Sequence, residues 1–303
     1  MSRTHDLLIL VAAIAVGVAQ TGCLAEALES EPAEGQLGST GEALTSMNRL
    51  SMNRLSMNRL SMNRLSMNGL SAGGLSPSGA DLSSTELIET PEGRELLTYV
   101  IRCALPEGES LSGAHGGVTY TFPGAVGVAP DWRDEPLDPA GQRWVSACLL
   151  AHVNGYGVEV PISLRGEHEA LGTTTTERAQ FNAQEAAFYG NLFGSGPDHG
   201  MYACAGAAVE AQCGANPSAG VPSRSCGASE DCELSFAGPC RDLAHPELQT
   251  CENASADFVE GCFAEASGPD GWSGGLFKYP EVVTVYLKRD DFNALYPGCA
   301  PLP

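Results

Sequence analysis

The chain has 303 residues, of which 37 are acidic and 16 basic, giving a formal net charge of −21. No run of it clusters Lys and Arg as phosphate contacts require, which excludes a nucleic-acid partner and a polybasic membrane-surface protein. With 43% hydrophobic and only 17% charged residues it can bury a core, which excludes wholesale disorder.

The first element is an export signal, residues 1–22. Its apolar run, Leu7 to Ala19, has 13 residues. As a helix that reaches only about 20 Å, short of a bilayer core, so it reads as the hydrophobic region of a signal and not as a membrane span. Gly22-Cys23 closes the run. A small residue before a Cys at that place resembles a bacterial lipoprotein signal. The resemblance implies that Cys23 carries the lipid and becomes the mature N-terminus, and that Leu24 directs sorting to the outer membrane. Gln20 departs from the family's aliphatic residue at that position, and only Arg3 serves as the basic flank. The alternative is simple secretion after Ala25-Glu26-Ala27, which also fits a small-x-small cleavage site. Either way the expected address is the cell envelope or beyond, on a side of the outer membrane that the sequence leaves open.

Residues 23–80 read as a low-complexity linker. From Leu24 to Ala80 there is no further Cys and no aromatic residue, too little apolar bulk to close a core. Within it the pentad SMNRL recurs four times from Ser46 to Leu65, then decays through SMNGL and SAGGL to Leu75. Pentads can wind a β-helix, but six make only about one and a half coils, and stacking needs several to bury a face. A flexible spacer is the expectation, about 40 Å as a coil. Arg49, Arg54, Arg59 and Arg64 follow five Glu between residues 24 and 45, and they could meet anionic lipid or polysaccharide, or serve only solubility.

Residues 81–303 form the expected globular domain, with 31 acidic and 11 basic residues and ten of the eleven cysteines. These are Cys103, Cys148, Cys204, Cys213, Cys226, Cys232, Cys240, Cys251, Cys262 and Cys299. An even set in an exported chain is a disulfide framework of up to five bridges. Seven crowd into 204–262, a Gly-, Pro- and Ser-rich stretch with no C-x-x-C pair, so zinc is not expected and bridges are expected to stand in for a core there. No metal and no cofactor is expected.

The fold class expected is α+β, in a single disulfide-rich domain. Thr90-Pro91 opens a helix with Leu96, Leu97, Val100, Ile101 and Ala104 on one face. Val118, Tyr120 and Phe122 alternate as a strand. Asp138-Pro139 opens a second helix that ends near Asn154-Gly155, and Cys103 and Cys148 on the two helices are the first expected pair. Val158 to Leu164 and Val283 to Leu287 alternate as strands. Thr174 and Glu177 fit a capping box for a third helix running through Phe181 and Ala187 to Gly190.

Several fragments carry chemistry on paper. Gly271-Trp272-Ser273-Gly274-Gly275 matches the G-x-S-x-G elbow, but turn formers precede it and no His follows it, so a chance match is expected. His168-Glu169-Ala170-Leu171-Gly172 begins as H-E-x-x-H and fails at the second ligand; Glu167, His168 and Glu169 would need His152 or His199 to hold an ion. Cys148 and His152 stand one helical turn apart, a thiolate–imidazole pair only if Cys148 is unbridged. Asp131, Asp134, Glu135 and Asp138 offer oxygens for calcium without EF-hand spacing. Asn253-Ala254-Ser255 is a glycosylation sequon that is idle in a bacterial lipoprotein. The functional expectation is therefore a tethered envelope domain with a binding or structural role, its partners the membrane through the lipid and an envelope polysaccharide or protein. The alternative is a tethered, possibly glycan-cleaving hydrolase using carboxylates among Glu167, Glu169, Glu177 and Glu185.

Overall fold

A computed structural model describes residues 82–154, 160–193, 199–214, 220–221, 225, 234–241, 250–254, 257–267 and 273–303. Cys23, the linker with its repeats, Cys226 and Cys232 lie outside the described residues. The elements in chain order are α1 (Pro91–Ala104), β1 (Ser110–His115), β2 (Val118–Pro123), α2 (Pro139–His152), β3 (Ser163–Arg165), α3 (Thr175–Gln180), β4 (Ala183–Asn191), β5 (Gly200–Ala205), α4 (Ala207–Cys213), β6 (Ser235–Pro239), β7 (Cys251–Ala254), β8 (Val259–Ser267), β9 (Ser273–Tyr279), β10 (Val283–Leu287) and α5 (Arg289–Leu295). The domain is α+β, as expected. Among the described residues no helix is long and apolar enough to cross a membrane.

Local sequence sets the helix starts. Thr90 and Asp138 accept from the N–H groups of Gly93 and Gly141, and Pro occupies the first helical position of both α1 and α2, where its missing N–H leaves nothing unsatisfied. The last carbonyls of α1 are met by the segment after β2. Val126 N–H donates to Arg102 O at 2.7 Å, Val128 N–H to Cys103 O at 3.0 Å, and Ala129 N–H to Ala104 O at 2.9 Å. Gly93 is required by packing: a Cβ there would stand 2.1 Å from Leu87 O.

Five strands form a sheet in the order β3-β10-β4-β5-β6, antiparallel except for the parallel β5–β6 pair. A second antiparallel sheet has the order β7-β8-β9, and β1–β2 is a hairpin. The pleat of the central strands divides the core. Ala186 and Phe188 of β4 and Met201, Ala203 and Ala205 of β5 join the large cluster with α1 and α2. Ala187 and Tyr189, with Tyr202 and Cys204, face the other way, onto Val259, Cys262, Ala264 and Tyr279. The five-stranded sheet is thus sandwiched between helices on one face and the three-stranded sheet on the other.

Two expectations change. The third helix stops at Gln180, and residues 183–191 form β4, the middle strand of the large sheet, instead of continuing through Ala187 to Gly190. Its Ala, Gln and Glu content favours a helix locally, but burial on both faces between two layers outweighs propensity. In the 204–262 segment the bridges do not stand alone: its described residues include β6, β7 and the start of β8, and Cys204, Cys240, Cys251 and Cys262 share a core with Tyr189, Tyr202 and Tyr279.

Candidate functional site

Among the described residues four bridges pair eight cysteines: Cys103–Cys148, Cys204–Cys240, Cys213–Cys299 and Cys251–Cys262. The first is the pair expected from the two helices. His152 adjoins it, its Nδ1 2.7 Å from Cys148 O and 3.9 Å from Cys148 Sγ, so the imidazole faces a half-cystine and not a thiolate.

The other sequence candidates are dispersed. Ser273 opens β9 and is not on a strand-to-helix turn. His168 caps a short 3-10 turn, its Nδ1 accepting from Ala170 N–H at 3.1 Å, with its ring edge-on to Trp144 at 5.0 Å. Burial holds its pKa below the usual 6.5, and neighbouring Glu169 opposes that. His152 is in the helical core and His199 is half-buried ahead of β5, so neither is grouped with Glu167, His168 and Glu169 into a cation site among the described residues. Asp138 serves as the α2 cap, and Arg133 pairs with Asp134 at 2.8 Å and Glu109 at 3.4 Å, which occupies the loop considered for calcium. Of the four carboxylates considered for glycan cleavage, Glu167 and Glu169 are exposed. Glu177 accepts from Ser163 Oγ at 2.7 Å, and the fully buried Glu185 accepts from Tyr296 OH at 2.7 Å.

Sequence reasoning missed a groove of about 860 Å³ at one end of the five-stranded sheet. It lies where β5, β6 and β10 end and β4 begins. Alanines dominate its floor: Ala183, Ala205, Ala207, Ala208 and Ala211, with Val259 and Leu302. Arg241, just past β6, and Arg289, opening α5, supply two guanidinium groups, and Glu210 supplies one carboxylate. Asn182 and Gln184 add amides, and Gln184 Oε1 is fixed by Ala207 N–H at 3.1 Å. Tyr286 closes the base, with the Arg165 guanidinium 3.6 Å from its ring centroid. Burial pushes its phenol pKa up, and Arg165 pulls it down by less. Arg165 in turn donates to Phe181 O at 2.6 Å and Ser163 Oγ at 3.2 Å, so the floor under Tyr286 is a buried, hydrogen-bonded network.

A local cationic wall on an alanine floor, in a domain with 31 acidic and 11 basic residues, can select an anion with an apolar body. Comparison of the chain with protein-family models, with curated proteins and with solved structures gave no match.

Proposed function

We propose that this chain is an envelope lipoprotein, anchored through Cys23 and held out by the 24–80 spacer, whose disulfide-stapled domain binds a small organic carboxylate in the groove at the sheet end. The observation that carries the reading is a groove of about 860 Å³ whose lining holds both Arg241 and Arg289 among alanines. Guanidinium groups match carboxylates in geometry. The alanine side chains leave room for a short aliphatic chain. A framework of four bridges suits an oxidising, extracytoplasmic address.

The test has two parts. Intact mass of the protein from its native membrane fraction is expected to show a diacyl or triacyl Cys23 as the first residue; a chain beginning after Ala27 refutes the anchor. Calorimetric titration with octanoate, and with trialanine as free acid and as amide, tests the groove. The free carboxylates are expected to bind and the amide to bind worse by about tenfold or more, since a charged hydrogen bond contributes about 1.5–3 kcal/mol. The Arg241→Gln/Arg289→Gln variant alters two exposed side chains and is expected to abolish that difference. Equal binding of acid and amide, or no binding by any probe, refutes the site.

A further inference from the structure

Two of the four bridges touch each other. Cys204 of β5 pairs with Cys240 just beyond β6, and Cys251, which opens β7, pairs with Cys262 of β8. Cys204 Sγ lies 3.7 Å from Cys251 Sγ, so sulfurs of different bridges are in van der Waals contact. Cys204, Cys240 and Cys251 place all three sulfurs within 4.8 Å of one another. Backbone pairing fixes the arrangement: Cys240 N–H donates to Ala205 O at 2.9 Å and Cys251 N–H to Cys240 O at 3.2 Å. All four half-cystines are buried against Tyr189, Tyr202 and Tyr279, yet Cys240 lines the groove.

We infer that the two bridges form a thiol–disulfide exchange site, entered through the groove by a dithiol and resolved by moving the bond to Cys204–Cys251. In the first step one thiolate of the dithiol attacks Cys240 Sγ, forming a mixed disulfide and releasing the Cys204 thiolate. That thiolate is generated in apolar surroundings, where the charged form is disfavoured, and a disulfide sulfur is already in contact with it. It attacks Cys251 Sγ, forms Cys204–Cys251 and expels the Cys262 thiolate. The dithiol's second sulfur then attacks the mixed disulfide, leaves as a cyclic disulfide and releases Cys240. The balance closes: the dithiol is oxidised by two electrons, the two bridges become one, and its two protons end on Cys240 and Cys262. The consequence for the groove is direct, because the bond that pins Cys240, the neighbour of Arg241, is gone. The inference depends on the groove as a route and on the binding reading only for that consequence.

The experiment treats the full mature protein with one equivalent of dithiothreitol, quenches with acid, alkylates with N-ethylmaleimide and maps peptides by mass without reduction. Among molecules labelled within these four cysteines, the expected product has gained two alkyl groups, on Cys240 and Cys262, with the Cys204 and Cys251 peptides cross-linked. Labels on Cys204 and Cys240 together with Cys251–Cys262 intact, or on Cys251 and Cys262 together with Cys204–Cys240 intact, overturn the proposal. In the Cys251→Ala/Cys262→Ala variant the acceptor is missing, and the labels are expected to move to Cys204 and Cys240. The mapping contains no anion, so a groove that fails to bind octanoate leaves this result unaffected.

Discussion

Cys103–Cys148 and Cys251–Cys262 are both buried and close chains of very different length. All four residues are at most 1% exposed, so removing either pair forfeits similar packing. Neither loop encloses another cysteine. The sequence separations are 45 and 11 residues. If a bridge acts by restricting the unfolded chain, the loop-closure relation gives about 4.0 kcal/mol for the first and about 2.8 kcal/mol for the second, a difference of about 1.2 kcal/mol. The perturbation is replacement of each pair by alanine, Cys103→Ala/Cys148→Ala and Cys251→Ala/Cys262→Ala, and the assay is equilibrium unfolding in urea. The first variant is expected to lose more stability by that difference. Its m-value is also expected to rise further, because a longer released loop lets the denatured state expand and expose more surface. Equal losses, or a larger loss from the short loop, would refute the reasoning and locate the stabilisation in native contacts around the sulfurs.

Three further outcomes follow from particular contacts. His168 has a folded pKa below 6.5, so below about 6.5 the unfolded state binds more protons than the folded one, and stability is expected to fall as pH drops through that value toward the folded pKa. His168→Asn is expected to flatten this limb in urea titrations at stepped pH, and an unchanged slope would refute the assignment. Gly93→Ala, which drives a methyl group against Leu87 O, is expected to destabilise by about 2–3 kcal/mol in the same assay, and a neutral substitution would contradict the close packing of α1 on the 3-10 turn Glu86–Ile88 that precedes it. Tyr296→Phe removes a donor from the buried Glu185 carboxylate and is expected to lower the thermal midpoint, with a loss of about 1–3 kcal/mol; an unchanged midpoint would mean that other donors hold Glu185 alone.

What the sequence discloses here is what depends on near neighbours. The caps Thr90, Asp138 and Thr174 act within three residues, and all three accept the expected N–H. Cys103 and Cys148 could be paired because each lies on the buried face of a helix with a legible period. The stretch Ala183 to Asn191 was misread for the opposite reason: its propensity is helical, and only the two layers that enclose it make it a strand. The groove had no signature at all. Arg241 and Arg289 line one groove only because β6 and β10 finish at the same end of one sheet, with Asn182 just before β4 and Ala208 of α4 beside them. Such a site is a product of topology, and no spacing rule reaches it.

The alternation along β5 also explains why the touching bridges belong to the smaller layer. Met201, Ala203 and Ala205 point toward the helices, whereas Tyr202 and Cys204 point toward the three-stranded sheet. A one-residue slip would carry Cys204 into the helical core and away from Cys240 and Cys251, so register and bridge pairing enforce each other. Among the described residues, four of the eleven buried in the layer that receives Cys204 are half-cystines. Covalent closure by Cys204–Cys240 and Cys251–Cys262 adds to burial in holding this layer. Cys240 stands at the groove wall, so the bridge that ties β5 to the end of β6 borders the groove.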